Sequence, residues 1–471
     1  MASEIDTNKY SDLFLAQKEN QFNVANTTAK QRIKKLKALR KALEYTYRDQ
    51  LKDAIVKDLK RHPAEADLVD IYPTISEIKV AVKHLKEWMS NHSVETPIFL
   101  LGSSSHYRYE PKGVCLIISP FNFPLLLTFA PMVSAIAAGN TVILKPTETT
   151  ANTTAVMEQI VNDLFDENEV AMVRGTSAET TELLKLPFNH IFFTGSPRVG
   201  KLVMKAAAEH LASVTLELGG KNPLIVDETA NLNGAVKRIA WGKLFNNGQA
   251  CVAPDLIFVH EKVKDKFVNL LKNQIKLYYG EDASKSESFS RVINSKSFDR
   301  LKAHIEDAKS KGATIESGGN YNAEDNYIEP TIITNLPENA SILGDEIFGP
   351  IVTIMTYSKK EDVIKYINPK EKPLAFYVYS KNRKNIEYFI QNSRAGSTAI
   401  NNNIVQFGNH HLPFGGSNNS GLGKSHGYFG FQEFSNMRSV LKQHTRSAVE
   451  LIYPPYTGFK QKLIDLTIKW F

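Results

Sequence analysis

From Val114 onward, short apolar runs alternate with segments whose apolar residues recur at helical spacing. VCLIIS, TVILK, EVAMVRG and HIFFTG precede helix-periodic stretches at 124–138, 150–165, 178–185 and 197–211. Alternation of this kind predicts an α/β fold with a doubly wound parallel sheet, and places ligands beyond the carboxyl ends of the strands. Ahead of it, 28–61 and 72–90 read as helices, the first ending at Arg61-His62-Pro63, and HYRYEPKGV (106–114) has hairpin character.

Val114 to Leu144 carries no charge and is long enough to span a bilayer. Its punctuation argues otherwise: Pro120, Asn122 and Pro124 break it after VCLIIS, and Gly139-Asn140 separates a middle helix from TVIL. Strand, buried helix and strand form a βαβ unit, whose parallel strands are covered on both faces and therefore uniformly apolar.

In SVTLELGG (213–220) the period changes to two. Val214, Leu216 and Leu218 point one way and Thr215 and Glu217 the other, which puts Glu217 at a strand end on the more polar face. A second α/β region follows, with helices near 231–247, 262–277, 297–311, 361–367 and 383–392 and strands LIFVH, TIITN, IVTIMTY and LAFYVYS. The boundary between the halves is expected near 212. The glycine-rich HLPFGGSNNSGLGKSHG (411–427) reads as a loop.

A chain of 471 residues exceeds one ordinary core, and 42% hydrophobic with 23% charged residues is globular composition. The net charge of +7 is spread along the chain. Its densest basic run, 31–41, has Ile33, Leu36, Leu39 and Leu43 at helix spacing, so the lysines form a solvated face and no nucleic-acid partner is expected. The two cysteines, Cys115 and Cys251, build neither a disulfide framework nor a CxxC site, and the polar start MASEIDTNKYSD has no apolar signal core. Both point to the cytoplasm.

Several short motifs carry chemistry. Gly195 to Lys201 has P-loop spacing, but Leu202 stands where a magnesium-binding Ser or Thr is needed, and G-x-G-x-x-G is absent. What remains is a strand, Gly195, an N-cap in Ser196 and Pro197 at the first helical position: either a pyrophosphate site or an ordinary strand-to-helix turn. Lys145 and Glu148 in ILKPTE follow a strand and suit either ribose hydroxyls or a surface ion pair. Asn122 in PFNFP is an oxyanion donor or a turn residue. Cys251 in NNGQAC is a buried filler or a nucleophile, the latter requiring a partly polar site with nearby positive charge or dipoles. Neither HExxH nor CxxC is present, and His410-His411 reads as structural, so no metal is expected.

In order and separation, PFNFP, ILKPTE, FFTGSPRVG, LELGGKNP, FNNGQACVAPD, DEIFGPIV and LPFGG resemble the aldehyde dehydrogenase superfamily over residues 10–445. AETTELLK and HLPFGGSNNSGLGKSHG resemble its class 3 branch, which includes fatty aldehyde dehydrogenases. The resemblance implies a Rossmann-like NAD(P)-binding domain (1–90 and 111–212), a second α/β catalytic domain (213–410), a small β oligomerisation or bridging element (91–110 and 411–445) and a C-terminal tail (446–471), in a homodimer. It implies that Cys251 attacks an aldehyde, that the Asn122 amide and the Cys251 N–H hold the oxyanion, and that Glu217 activates water to release a carboxylic acid.

For the cofactor, NAD or NADP, the resemblance puts Lys145 and Glu148 at the adenosine ribose. Gly195, Ser196, Val199 and Gly200 fall at the pyrophosphate, Glu346 at the nicotinamide ribose and Phe348 near the nicotinamide. Arg198, where relatives often have a small residue, either meets an extra phosphate or faces solvent. Hydrolysis at Glu217 is preferred to acyl transfer onto CoA or phosphate, and a catalytically silent protein would need the nucleophile or the base to be lost. In the tail, Leu463, Ile464, Leu466, Ile468, Trp470 and Phe471 predict a short apolar or amphipathic helix, too short to span a membrane. It is expected to dock on the protein's own body or a dimer partner beside the substrate entrance, in preference to a membrane surface.

Overall fold

The computed structural model describes residues 8–444 and 447–470; residues 1–7, 445–446 and Phe471, and with them the first residues of the chain and the last residue of the tail, lie outside the described residues. A six-stranded sheet has the order Gly421–Leu422, Ser213–Leu218, His190–Gly195, Val114–Ser119, Thr141–Pro146, Val170–Met172. All neighbours are parallel except the short Gly421–Leu422 edge. The chain begins in the middle of this sheet and winds outward both ways, which creates a crevice at the strands' carboxyl ends. The charge-free stretch resolves as the strand Val114–Ser119, the almost wholly buried helix Pro124–Ala138 and the strand Thr141–Pro146. Gly139, at φ +91, closes that helix in the left-handed conformation.

A seven-stranded sheet follows, in the order Thr314–Ser317, Thr331–Thr334, Ile351–Tyr357, Leu256–His260, Pro223–Val226, Ala375–Tyr379, Ser397–Ile400. It is parallel except at its Thr314–Ser317 edge. The crossing between sheets lies at 219–222 and not near 212, because Ser213–Leu218 hydrogen-bonds to His190–Gly195 in the first sheet. The sequence KNP then starts the second.

The segment 106–114 is not a hairpin. Ser103–Pro111 pairs antiparallel with His92–Val94 and with Ser435–Gln443, and Gly113, at φ +129, redirects the chain into the parallel sheet. The expected long helix 28–61 is divided into Ala29–Lys41, a wider turn at Ala42–Thr46 and Arg48–Leu59. The tail forms a helix, Gly458–Trp470, that packs against the preceding turn Ala448–Ile452 of its own chain, with Leu463 and Ile464 half-buried and none of its residues fully buried. No helix among the described residues is long and apolar enough to cross a membrane.

Candidate active site

At the carboxyl edge of the first sheet, Gly195 ends its strand and Ser196 caps the helix Pro197–Ala208, its Oγ accepting from the Val199 N–H at 3.4 Å. A Cβ on Gly200 would lie 2.9 Å from Leu218, so glycine lets this helix lie directly on the neighbouring strand. Two strands over, beyond Val114–Ser119, the Lys145 ammonium donates to the carbonyls of Pro146 and Gly175, both at 2.8 Å, and burial lowers its pKa. Glu148 is exposed just beyond it, at the start of a short 3-10 turn. A helix start with N–H groups, one buried cation and one exposed carboxylate along the carboxyl edge of the same sheet suit the phosphates and ribose of a dinucleotide.

The segment before Cys251 is unusual backbone. Asn246, Asn247 and Gly248 are consecutively left-handed, with φ of 46°, 57° and 72°. Asparagine and glycine are the residues that tolerate this. The turn is stitched by its own amides: Gln249 Nε2 donates to the carbonyls of Asn246 (3.1 Å) and Arg291 (3.0 Å), and Gln249 Oε1 accepts from the Ile293 N–H at 3.0 Å. Asn122 Nδ2 donates to the Gln249 carbonyl at 3.1 Å, and Asn246 Nδ2 to the Asn122 carbonyl at 2.9 Å. On the other side, Asn222 Nδ2 holds the Cys251 carbonyl at 2.7 Å. Cys251 is thus half-buried on a backbone with little freedom, and Asn122 is locked beside it.

Burial pushes the Cys251 thiol up, with the carboxylates of Glu346 and Glu217 adding to the rise and the N–H groups of Cys251 and Val252 opposing it. Cys251 and Glu217 line one cavity of about 260 Å³, whose other walls include Leu127, Trp241, Phe245 and Phe407. Glu217 is buried at its strand end, and neither carboxylate oxygen has a hydrogen-bond partner among the described residues. Burial raises its pKa to about 8.

Glu346 comes from a different loop. Burial, reinforced by Asp255, also raises it to about 8. That loop is tied to the cysteine segment through Asp255, which accepts from the Ile347 N–H at 2.8 Å and from Lys221 Nζ at 2.6 Å. Phe348 is left-handed at φ +49, and its ring meets Phe121 edge-on at 5.9 Å between centroids.

The structure therefore brings Cys251, Glu217, Asn122 and Glu346 to one centre. Lys145, Glu148, Gly195, Ser196, Val199 and Gly200 stand along the strand ends outside the cavity. Sequence reasoning missed the ion pair beneath this centre. Arg61 and Asp70 are fully buried partners; Arg61 also donates to the Asn122 carbonyl and reaches Asn246 Oδ1 at 3.3 Å, while Asp70 accepts from the Leu126 N–H at 3.2 Å. In the sequence Arg61 marks only a helix end, and nothing local signals a partner nine residues on.

The chain matches the family model described as "Aldehyde dehydrogenase family" over residues 2–440. It is 40% identical over 427 residues to 4,4'-diaponeurosporen-aldehyde dehydrogenase of Staphylococcus aureus, covering 91% of this chain and 92% of the relative. It is also 40% identical over 437 residues to the "Aldehyde dehydrogenase, dimeric NADP-preferring" of Canis lupus familiaris, covering 92% and 95%. Among solved structures, "Substrate bound state of Staphylococcus Aureus AldH" superposes with a TM-score of 0.94 at 39% identity, over 98% of this chain and 100% of that one. An NAD+ complex of aldehyde dehydrogenase from Bacillus cereus superposes at 0.83, with 27% identity, over 92% and 88%.

Proposed function

This chain belongs to the aldehyde dehydrogenase family, in its class 3-like branch, and oxidises an aldehyde with NAD or NADP; we propose that Cys251 is the nucleophile, Glu217 the base and Asn122 the oxyanion donor. The observation that carries this assignment is that Cys251 and Glu217 line the same apolar cavity. Cys251 Sγ bonds to the aldehyde carbon as the thiolate, its proton having gone to solvent, while Glu217, with no hydrogen-bond partner for either carboxylate oxygen among the described residues, is kept for the water step. One N–H of the Asn122 amide is committed to Gln249, which leaves the other, with the Cys251 backbone N–H, for the oxyanion.

The cofactor, when bound, supplies a hydride acceptor for the substrate carbon. Lys145, Glu148, Gly195, Ser196, Val199 and Gly200 hold its adenosine and phosphates, and Glu346 and Phe348 its nicotinamide end. Cys251 then carries the acyl group as a thioester. Glu217 removes a proton from water as the water oxygen bonds to the acyl carbon, the C–S bond breaks and the carboxylic acid leaves.

The apolar walls favour a medium or long aliphatic or aromatic aldehyde. We assign the protein to the cytoplasm as a homodimer, joined through 91–110 and 411–445, where the strand Ser435–Gln443 leaves Met437 and Leu441 exposed. The exposed tail helix is assigned to the partner subunit in that dimer. A panel of aldehydes assayed with NAD and NADP in parallel tests the substrate reading: kcat/KM should rise with apolar chain length, and a preference for short polar aldehydes would reject it.

A further inference from the structure

Neither oxygen of the Glu217 carboxylate has a hydrogen-bond partner among the described residues, so packing and charge fix where it points. The glycine-rich segment 414–425 supplies both. Gly421 pairs antiparallel with Glu217 along the backbone, and the Leu218 N–H donates to the Ser420 carbonyl at 3.1 Å. The segment also folds back on itself: the Ser425 N–H donates to the Phe414 carbonyl at 2.6 Å, which brings 423–425 against 414–416. Gly415, at φ +145, is the residue that meets the carboxylate. A Cβ there would lie 3.0 Å from Glu217 Oε1, 2.6 Å from the Gly423 carbonyl oxygen and 3.2 Å from the Lys424 Cα. Glycine is what lets the backbone come this close to the carboxylate in this conformation.

Glycine backbone has no side chain to anchor it, and Lys424 supplies the anchor. Its Nζ donates to the carbonyls of Gly415 at 2.7 Å and Gly416 at 3.1 Å, and it forms no ion pair with a carboxylate among the described residues. The Lys424 backbone is fixed separately. Its N–H donates to Glu433 Oε1 at 3.0 Å, and Glu433 Oε2 accepts from Thr215 Oγ1 at 2.8 Å. Thr215 stands two residues before Glu217 in the same strand and on the same face. Each joint therefore meets the next: Thr215 holds Glu433, Glu433 holds the Lys424 backbone, the Lys424 ammonium holds Gly415, and Gly415 lies against Glu217.

We propose that Lys424 is a positioning residue for the Glu217 carboxylate, holding Gly415 against it and placing an ammonium charge beside it, with Glu433 fixing Lys424 in turn. The proposal rests on Glu217 being the base of the hydrolytic step. Burial raises Glu217 to about 8; the Ser425 hydroxyl and the Lys424 charge oppose that rise, and Glu433 adds to it. The other titratable groups lining the cavity are Cys251, Tyr72, Glu77, His410 and His426. Lys424 and Glu433 are both half-buried and act on the base in opposite senses.

The test measures the first burst of reduced cofactor and the subsequent release of acid over the pH range around 8. In Lys424→Met the burst should keep its full size, while acid release falls by about 10–100-fold, because a small misplacement of a positioned group is that costly. The pH at which release accelerates should move up, since a charge favouring the carboxylate is gone. Lys424→Arg keeps the charge and the donors, and should recover part of the rate and the wild-type pH dependence. Glu433→Gln keeps an acceptor for the Lys424 N–H but removes a negative charge, so its pH dependence should move down. Opposite displacements with an undiminished burst are a result that a general loss of packing does not produce. If thermal denaturation shows that Lys424→Met does not fold, the downward displacement in Glu433→Gln decides the matter. An unmoved pH dependence in either folded variant overturns the proposal. If Glu217→Gln releases acid at the wild-type rate, the assignment of the base fails instead.

Discussion

A methyl group added to Gly219 would lie 2.0 Å from Oε2 of Glu346. The glycine that follows the Glu217 strand is therefore the floor on which the Glu346 carboxylate rests. The neighbour is the far end of a flexible side chain, so Gly219→Ala should fold, with the carboxylate displaced. A small misplacement of a positioning group is costly for catalysis. If Glu346 holds the nicotinamide ribose, Gly219→Ala should lower kcat/KM for NAD or NADP by about 10–100-fold. Its thermal midpoint should stay close to that of wild type. Unchanged cofactor kinetics would remove Glu346 from the binding site.

Cys251→Ala should abolish aldehyde-dependent formation of NADH or NADPH and leave cofactor binding intact, because the Asn222 and Asn246 bonds that hold this turn involve backbone carbonyls and not the thiol. Binding is read by fluorescence titration and turnover by absorbance. Residual turnover near the wild-type level rejects the nucleophile assignment.

Glu217→Gln should still give a burst of about one reduced cofactor per site, followed by slow steady-state turnover. The pH dependence has a definite sign. Burial raises Glu217 from 4.5 to about 8, so the carboxylate, the form that acts as base, becomes populated as pH rises through 8, and deacylation should accelerate over that range. Stability runs the opposite way. Between 4.5 and about 8 an unfolded chain releases this proton and the folded chain retains it, so each rise in pH favours unfolding until the proton is lost from both states. Glu217→Gln should therefore gain thermal stability over wild type at pH 8 to 9 more than at pH 5. An equal difference at both pH values would show that Glu217 does not titrate in this range.

Much of this centre was legible because its parts are local. The alternation of strands and helices located the first sheet, and the period of two put Glu217 at a strand end. What escaped depends on contacts between distant segments. Ser213–Leu218 has the apolar pattern of either sheet, and only its pairing with His190–Gly195 decides which one it joins. His410 is one of two adjacent histidines in a glycine-rich loop, and its partner Glu77 lies on a helix more than three hundred residues earlier. The tail has a helical pattern, but no pattern states which surface its apolar side meets.

Asn122→Ala should reduce turnover by roughly 10²–10³-fold with a smaller change in aldehyde KM, since an oxyanion donor acts mainly in the transition state. Asn122 is buried, and its amide also bonds Gln249, so thermal denaturation must accompany the kinetics. A loss of turnover explained wholly by unfolding would leave Asn122 as a turn residue.

The Arg61–Asp70 pair makes the sharpest link between stability and the site. Burial pushes the Asp70 carboxyl up, and Arg61, itself wholly buried, pulls it back down. Asp70→Ala leaves a buried guanidinium without its counter-charge and also frees the Leu126 N–H at the start of the helix Pro124–Ala138. Removing one partner of such a pair costs about 3–5 kcal/mol. The same guanidinium donates to the Asn122 carbonyl and contacts Asn246, so the loss should not stop at stability. Asp70→Ala should unfold at a markedly lower urea midpoint and, under conditions where it remains folded, turn over more slowly, with the acylation burst itself slowed. If the folded variant acylates at the wild-type rate, the pair supports only the fold, and Asn122 and Asn246 hold their places without it.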